Sequence, residues 1–196
     1  MSAIRITKGF DISERATVAA LFWEAFGPKL RIGMGPDEKA LTFLARVADP
    51  EYALCARSAD GTLLGMAGFK TSAGALIGGG FSDLSATYGT LSAIWRAALL
   101  SLLERNLEDG AFLMDGIFVT KEARGLGLGT ALLRAVKDEA QTQGCHEVRL
   151  DVINSNPRAR KLYEREGFVA GKVQNLGPLK YLFGFSSATE MRCTLR

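Results

Sequence analysis

The sequence predicts an α/β chain, a sheet flanked by helices, on three observations. Apolar runs of strand length alternate with helical patterns along most of its length. Residues 112–168 read as strand, glycine-rich turn, amphipathic helix, alternating strand and second helix. Upstream, residues 52–57 and 62–70 form two strand-like runs around Ala59-Asp60-Gly61, an Asp-Gly hairpin signal.

Taken in order, residues 4–8 predict a first short strand. Asp11 or Ser13 can cap a helix through about residue 26, with Val18, Leu21, Phe22 and Ala25 on one face. Gly27-Pro28 is expected to end it and open a loop with Lys29, Arg31, Gly33 and Gly35. A second helix starts at Pro36-Asp37, carries Ala40, Leu41, Phe43, Leu44 and Val47, and stops at Asp49-Pro50. After the hairpin, residues 71–110 hold Gly74 and Gly78 to Gly80, then a helical segment over about residues 84–105. Leu91, Ile94, Trp95, Ala98, Leu99, Leu102 and Leu103 form its apolar stripe. The stripe fits packing on the sheet or its neighbours, a dimer surface, or a wall of a substrate pocket. The glycine cluster reads as a connector rather than a phosphate loop, because no helix is expected directly after it.

Residues 112–119 are an apolar strand holding one acid, Asp115. The turn Arg124-Gly125-Leu126-Gly127-Leu128-Gly129-Thr130 follows, then a helix with Leu128, Ala131, Leu132, Ala135 and Val136 on one face, stopped by Gly144. Val148, Leu150 and Val152 alternate with Glu147, Arg149 and Asp151 in the next strand. Residues 154–157 break it, and Ala159, Leu162 and Tyr163 begin another helix. Strands are expected to about residue 173 and over 188–195, around a segment with Pro178, Tyr181, Phe183 and Phe185.

The 196 residues suffice for one domain, 1–196, with an insertion at about 71–110. A net charge of +3, with no basic run carrying interleaved aromatics, gives no case for nucleic acid. The N-terminus lacks a secretory apolar region, and no apolar helix is long enough to span a bilayer. Three separated cysteines, Cys55, Cys145 and Cys193, suit reduced thiols in a cytoplasm. With one histidine and no clustered cysteines, no metal site is expected.

The turn at 124–130 is an anion site in waiting. The first N–H groups of a helix have no internal partner, and the helix dipole adds positive charge there. Glycines let the backbone approach a phosphate, and Arg124 offers a forked cation. A P-loop would need Gly-Lys-Ser/Thr, but Gly129 is followed by Thr130 and Ala131. A dinucleotide fingerprint fails at its third glycine, which falls on Thr130 or Leu132.

Arg124, Gly127 and Gly129 match in register the Arg/Gln-x-x-Gly-x-Gly/Ala signature of the GNAT superfamily of N-acetyltransferases. Asn156, Ala159, Leu162, Tyr163, Gly167 and Phe168 resemble the second half of its core at the expected spacing. The resemblance implies a central mixed, mostly antiparallel sheet of about seven strands. The insertion, with its added helix between the third and fourth strands, departs from the minimal pattern. It also implies acetyl-CoA as co-substrate and transfer of the acetyl group to a primary amine of a small molecule or protein in a ternary complex. Backbone groups of Ile117, Phe118 and Val119 would meet the pantetheine arm and the oxyanion. The backbone of Arg124, Gly125, Leu126, Gly127, Leu128 and Gly129, with Thr130, would hold the pyrophosphate. Asn156, Ala159 and Tyr163 complete the expected CoA-binding set.

Tyr163 is the candidate acid for the departing thiolate, or a packed ring that bonds CoA only through its hydroxyl. Asn156 fits a CoA contact or a helix cap. Asp115 is the candidate base, directly or through water, or else a hydrogen-bonded acid at the sheet edge. Asp151 reads as a solvated or structural charge. Lys29 and Arg31 suggest an acidic or amino-acid-like amine, or plain surface charge. Partners are thus acetyl-CoA and an amine, with a homodimer open. Against the enzyme stands a CoA-binding sensor module with little catalysis, in which Tyr163 would have no purpose.

Overall fold

In a computed structural model of the chain, residues 4–195 are described. Strands β1 (Arg5–Lys8), β2 (Ala53–Arg57), β3 (Leu63–Lys70), β4 (Ala111–Val119), β5 (Glu147–Ile153), β6 (Val169–Asn175) and β7 (Ser187–Thr194) form one sheet. Its order is β1-β2-β3-β4-β5-β7-β6. Only β4 and β5 run parallel. The helices are α1 (Arg15–Met34), α2 (Asp37–Val47), α3 (Phe81–Tyr88), α4 (Thr90–Ser101), α5 (Leu128–Thr142), α6 (Pro157–Arg165) and the single turn α7 (Lys180–Phe183).

The apolar face of α5, with Leu132, Leu133, Val136 and Ala140, packs with Phe112, Met114, Val148 and Leu150. A second cluster brings Val18 of α1 to Cys55, Met66 and Phe118. A third joins Trp23 and Met34 of α1 to Phe43 and Leu44 of α2 and to Leu84, Tyr88 and Ala93 of the insertion. Strict alternation along a strand would put residues an odd number apart on opposite faces. Yet Ile117 packs in the same cluster as Met114. A bulge explains it: Gly68 pairs with Gly116 and Phe69 with Met114, so Asp115 has no partner in the ladder.

The structure corrects three expectations. First, α1 does not end at Gly27-Pro28 but continues through Pro28 to Met34, so no loop carries Lys29 and Arg31. Gly27 is a packing point rather than a stop, because a Cβ there would lie 2.9 Å from the Trp23 indole. Arg31 consequently points outward and pairs with Asp37 at 2.9 Å. Second, the single helix expected over 84–105 is two, α3 and α4, broken at Gly89 with φ of 82°. The helix α3 starts directly after Gly80, contrary to the connector reading. No phosphate loop results, because Asp83 already accepts from Gly80 N at 3.1 Å. Third, of the three readings open to the stripe, packing on the sheet or its neighbours fails for the start of α4, where Leu91 is 85% exposed and Ile94 55%, whereas Leu103 beyond its end lines a cleft. Small Ala93 lets α4 dock closely on the opposite side, and Leu100 and Leu99 reach Gly33 of α1.

That docking satisfies the end of α1, whose last carbonyls have no helical partner. Arg96 donates from Nη1 to Gly33 O at 2.6 Å and from Nη2 to Gly35 O at 2.9 Å. Tyr88 donates from its hydroxyl to Met34 O. The Arg96 guanidinium stacks 4.1 Å from the Tyr88 ring centroid, so a buried cation is held by carbonyl dipoles and a π face. Arg96→Met is expected to cost about 2–4 kcal/mol, since it orphans one buried and one part-buried carbonyl. For a chain of this size that is a fall of roughly 5–15 °C in Tm, checked by thermal unfolding.

Candidate active site

The site begins where β4 and β5 part. They pair only at Ala111–Leu113 against Glu147–Arg149, although β4 runs on to Val119 and β5 to Ile153. Beyond Leu113, β4 keeps β3 on one side and opens a wedge on the other. Two clefts meet at this wedge and share Phe26, Lys29 and Phe118.

The first cleft, about 890 Å³, is bounded by Ile117, Phe118 and Val119 of β4, the turn, the start of α5 and the start of α6. Of the expected CoA-binding residues, Arg124, Gly125, Gly127, Leu128, Gly129, Thr130, Asn156 and Ala159 also line it. Leu126 and Tyr163 do not. Leu126 projects outward, 57% exposed. Gly125 and Gly127 have φ of 87° and 79°, and a Cβ on either would point into open space. The bare turn therefore leaves a cradle over the N-terminus of α5, with Gly127 as its left-handed cap. Gly129 serves packing: a Cβ there would lie 2.8 Å from Leu162 Cδ2 of α6. Asn156 caps α6, its Oδ1 accepting from Ala159 N at 3.1 Å. Arg158, Lys161 and Arg165 of α6 add cations to the same wall.

The second cleft, about 680 Å³, lies between α1 and the insertion and holds Asp115 and Gly116 of β4. Gly116 makes room for Phe26, whose Cζ would be 2.5 Å from a Cβ there. The bulge sets Asp115 here, with its side chain 28% exposed. Arg105, just beyond α4, donates from Nη2 to Asp115 O and Oδ1, both at 3.1 Å, and from Nη1 to Asp151 Oδ2 at 3.3 Å. One guanidinium thus ties β4 to β5 across the wedge, and Asp151 is an ion-pair member rather than a solvated charge. The loop bearing Arg105 is itself pinned: Glu108 accepts from Arg149 at 2.6 Å and from Arg192 at 2.7 Å. Burial raises the Asp115 carboxyl above the ordinary carboxylate value, and Arg105 and Lys70 oppose the rise.

Tyr163 sits in the α5 core, 5% exposed, with its ring 6.0 Å from that of Phe168. Its hydroxyl has no hydrogen-bond partner among the described residues. Burial pushes the phenol up to about 12, against the pull of Arg105. Sequence reasoning missed Arg105, Phe26 and the α6 cations. Gly116 was a legible sign of a bulge, being a glycine inside a strand run. Arg105 gave no local sign, since its partners lie 10 and 46 residues away.

Comparison with known proteins places the chain in a family and the fold among solved structures. The profile of the acetyltransferase (GNAT) family matches residues 16–168. The chain therefore belongs to that family. It is 40% identical over 63 residues to the acetyltransferase Atu2258 of Agrobacterium fabrum, 32% of this chain and 43% of that protein. It is 51% identical over 62 residues to the mycothiol acetyltransferase of Paenarthrobacter aurescens, 31% of this chain and 19% of that protein. The matched segments thus span less than half of either relative. The structure of a GCN5-related N-acetyltransferase from Kribbella flavida superposes with a TM-score of 0.62 at 18% identity, covering 98% of each chain. At that identity the likeness concerns the fold.

Proposed function

We propose that the protein transfers an acetyl group from acetyl-CoA to a primary amine by direct attack in a ternary complex. The observation that carries this reading is the junction of the two clefts at the wedge between β4 and β5. One cleft offers an unpaired strand edge leading to a glycine cradle with a basic wall. The other offers a carboxylate, paired with Arg105, at the edge of a largely apolar cleft. A linear thioester with a pyrophosphate at its far end suits the first, and an amine suits the second. The pantetheine arm would lie along Ile117 to Val119 as an added strand. Backbone N–H groups there would stabilise the oxyanion. The diphosphate would lie on the turn, from Arg124 to Thr130, against Arg158 and Lys161. Asn156 commits one lone pair of its Oδ1 to the α6 cap, which orients the amide and leaves its N–H donors free for the arm.

A CoA-binding module without chemistry would have no use for the second cleft. The reading is tested by following thiol release from acetyl-CoA with a panel of amines. Amine-dependent release supports it, and tight acetyl-CoA binding with no release on any amine sinks it in favour of the module.

The cradle makes a separate prediction. Gly127→Ala costs about 1–2 kcal/mol of stability for its left-handed backbone. It also places a methyl group where the phosphate would sit. Losing one charge-assisted contact is worth about 1.5–3 kcal/mol, so the KM for acetyl-CoA is expected to rise by roughly 10- to 100-fold. Steady-state kinetics with acetyl-CoA varied checks it.

A further inference from the structure

The second cleft carries a chemical description of its occupant. Its charged lining consists of Lys29, Lys70, Glu104, Arg105 and Asp115. Lys70 pairs with Glu104 at 3.0 Å and Arg105 with Asp115 at 3.1 Å. Lys29 alone in this set has no carboxylate partner among the described residues. It lies 5.4 Å from the Phe26 ring centroid, half-buried at the junction of the clefts. A cation partly shielded from water there, and unpaired, is placed to take an anion that a ligand brings. The acetylated end of the pantetheine arm is neutral, and the CoA phosphates belong to the turn at the far end of the first cleft. An anion brought to Lys29 would therefore come from the acceptor.

Apart from Thr71, Ser72 and Ser101, the rest of the cleft is apolar or glycine. Phe22, Leu30, Met34, Phe43, Leu84 and Phe185 surround a volume far beyond the needs of a small aliphatic amine. The insertion builds one wall and α1 the other.

We propose that the acceptor is a free α-amino acid with a large, aromatic side chain. Its carboxylate rests on Lys29, its side chain fills the space between α1 and the insertion, and its amine faces the thioester beside Asp115. This assignment rests on the acetyl-transfer reading. The ammonium first gives one proton to Asp115 or to water. The nitrogen lone pair then forms the N–C bond, the C–S bond breaks, and the nitrogen sheds a second proton while the sulfur takes one up. The products are the N-acetylamino acid, CoA thiol and one net proton.

Three acceptors test it: L-phenylalanine, phenethylamine, which lacks the carboxylate, and L-alanine, which lacks the apolar body. The kcat/KM for phenylalanine is expected to exceed each of the others at least about 10-fold. Lys29→Met is expected to bring the phenylalanine-to-phenethylamine ratio close to one, with the loss in the acceptor KM rather than the acetyl-CoA KM. Equal use of phenethylamine or alanine overturns the proposal. So does a Lys29→Met defect confined to the acetyl-CoA KM, which would assign the anion to the co-substrate. Calorimetry separates the layers if no turnover is seen. Acetyl-CoA binding without L-phenylalanine binding to the CoA-saturated protein overturns the acceptor assignment alone. Failure to bind acetyl-CoA overturns the acetyl-transfer reading itself.

Discussion

Tyr163→Phe is expected to lower kcat by about 10²-fold while leaving the KM for acetyl-CoA and the Tm nearly unchanged. The hydroxyl is bonded to nothing among the described residues, and the ring contact with Phe168 survives, so the fold loses little. Burial raises the phenol to about 12, which makes it a poor donor of a full proton. A simple alkyl thiol has a pKa of about 8.5, so full proton transfer from Tyr163 to a thiolate is uphill by several kcal/mol. Donating a hydrogen bond to the departing sulfur has no such cost. The proposed role is thus stabilisation of the leaving group, at the low end of the 10²–10⁴-fold range of acid catalysis. No basic limb from this group should enter the pH profile below about pH 11, because its pKa lies above that. Steady-state rates of the variant decide: a kcat within a factor of three of the parent would assign Tyr163 to packing alone.

Asp115→Asn is expected to lower kcat/KM for the amine by about 10²–10³-fold near neutral pH and to abolish the acidic limb of the profile. A carboxylate acts as base only when ionised, so the rate should rise with pH through the Asp115 pKa. Burial raises that value, and Arg105 and Lys70 hold it down. Arg105→Met removes one of the two opposing cations, so the ionised form becomes harder to reach and the limb should move to higher pH. Arg105→Lys should restore part of the shift. If a water chain alone carries the proton, Asp115→Asn will leave both the rate and the limb in place.

The stretch 112–168 was legible because its signals are local. Alternation along β5, the amphipathic face of α5 and the glycine turn all lie within a few residues of the structure they specify. The expected CoA-binding residues were named from the same stretch, and most line one cleft. Elsewhere, local signals misled for physical reasons. Gly27-Pro28 looks like a helix stop, but α1 runs through it to Met34, where Arg96 and Tyr88 of the insertion take its last carbonyls. The result moves Lys29 into the wedge and Arg31 out to Asp37. In α4 the most hydrophobic side is not the buried one, because the helix docks through Ala93 and the carbonyl-capping Arg96. Arg105 joins Asp115 and Asp151 only once two strands diverge, and no spacing in the sequence announces that.

The measurement that bears most directly on the account is a crystal structure of the protein with acetyl-CoA. The account predicts the pyrophosphate within hydrogen-bonding distance of backbone N–H groups between Gly125 and Thr130. It predicts the pantetheine arm along Ile117 to Val119 and the thioester at the junction shared by Phe26, Lys29 and Phe118. Acetyl-CoA bound with its diphosphate away from the turn, or with its thioester outside the wedge between β4 and β5, would contradict it.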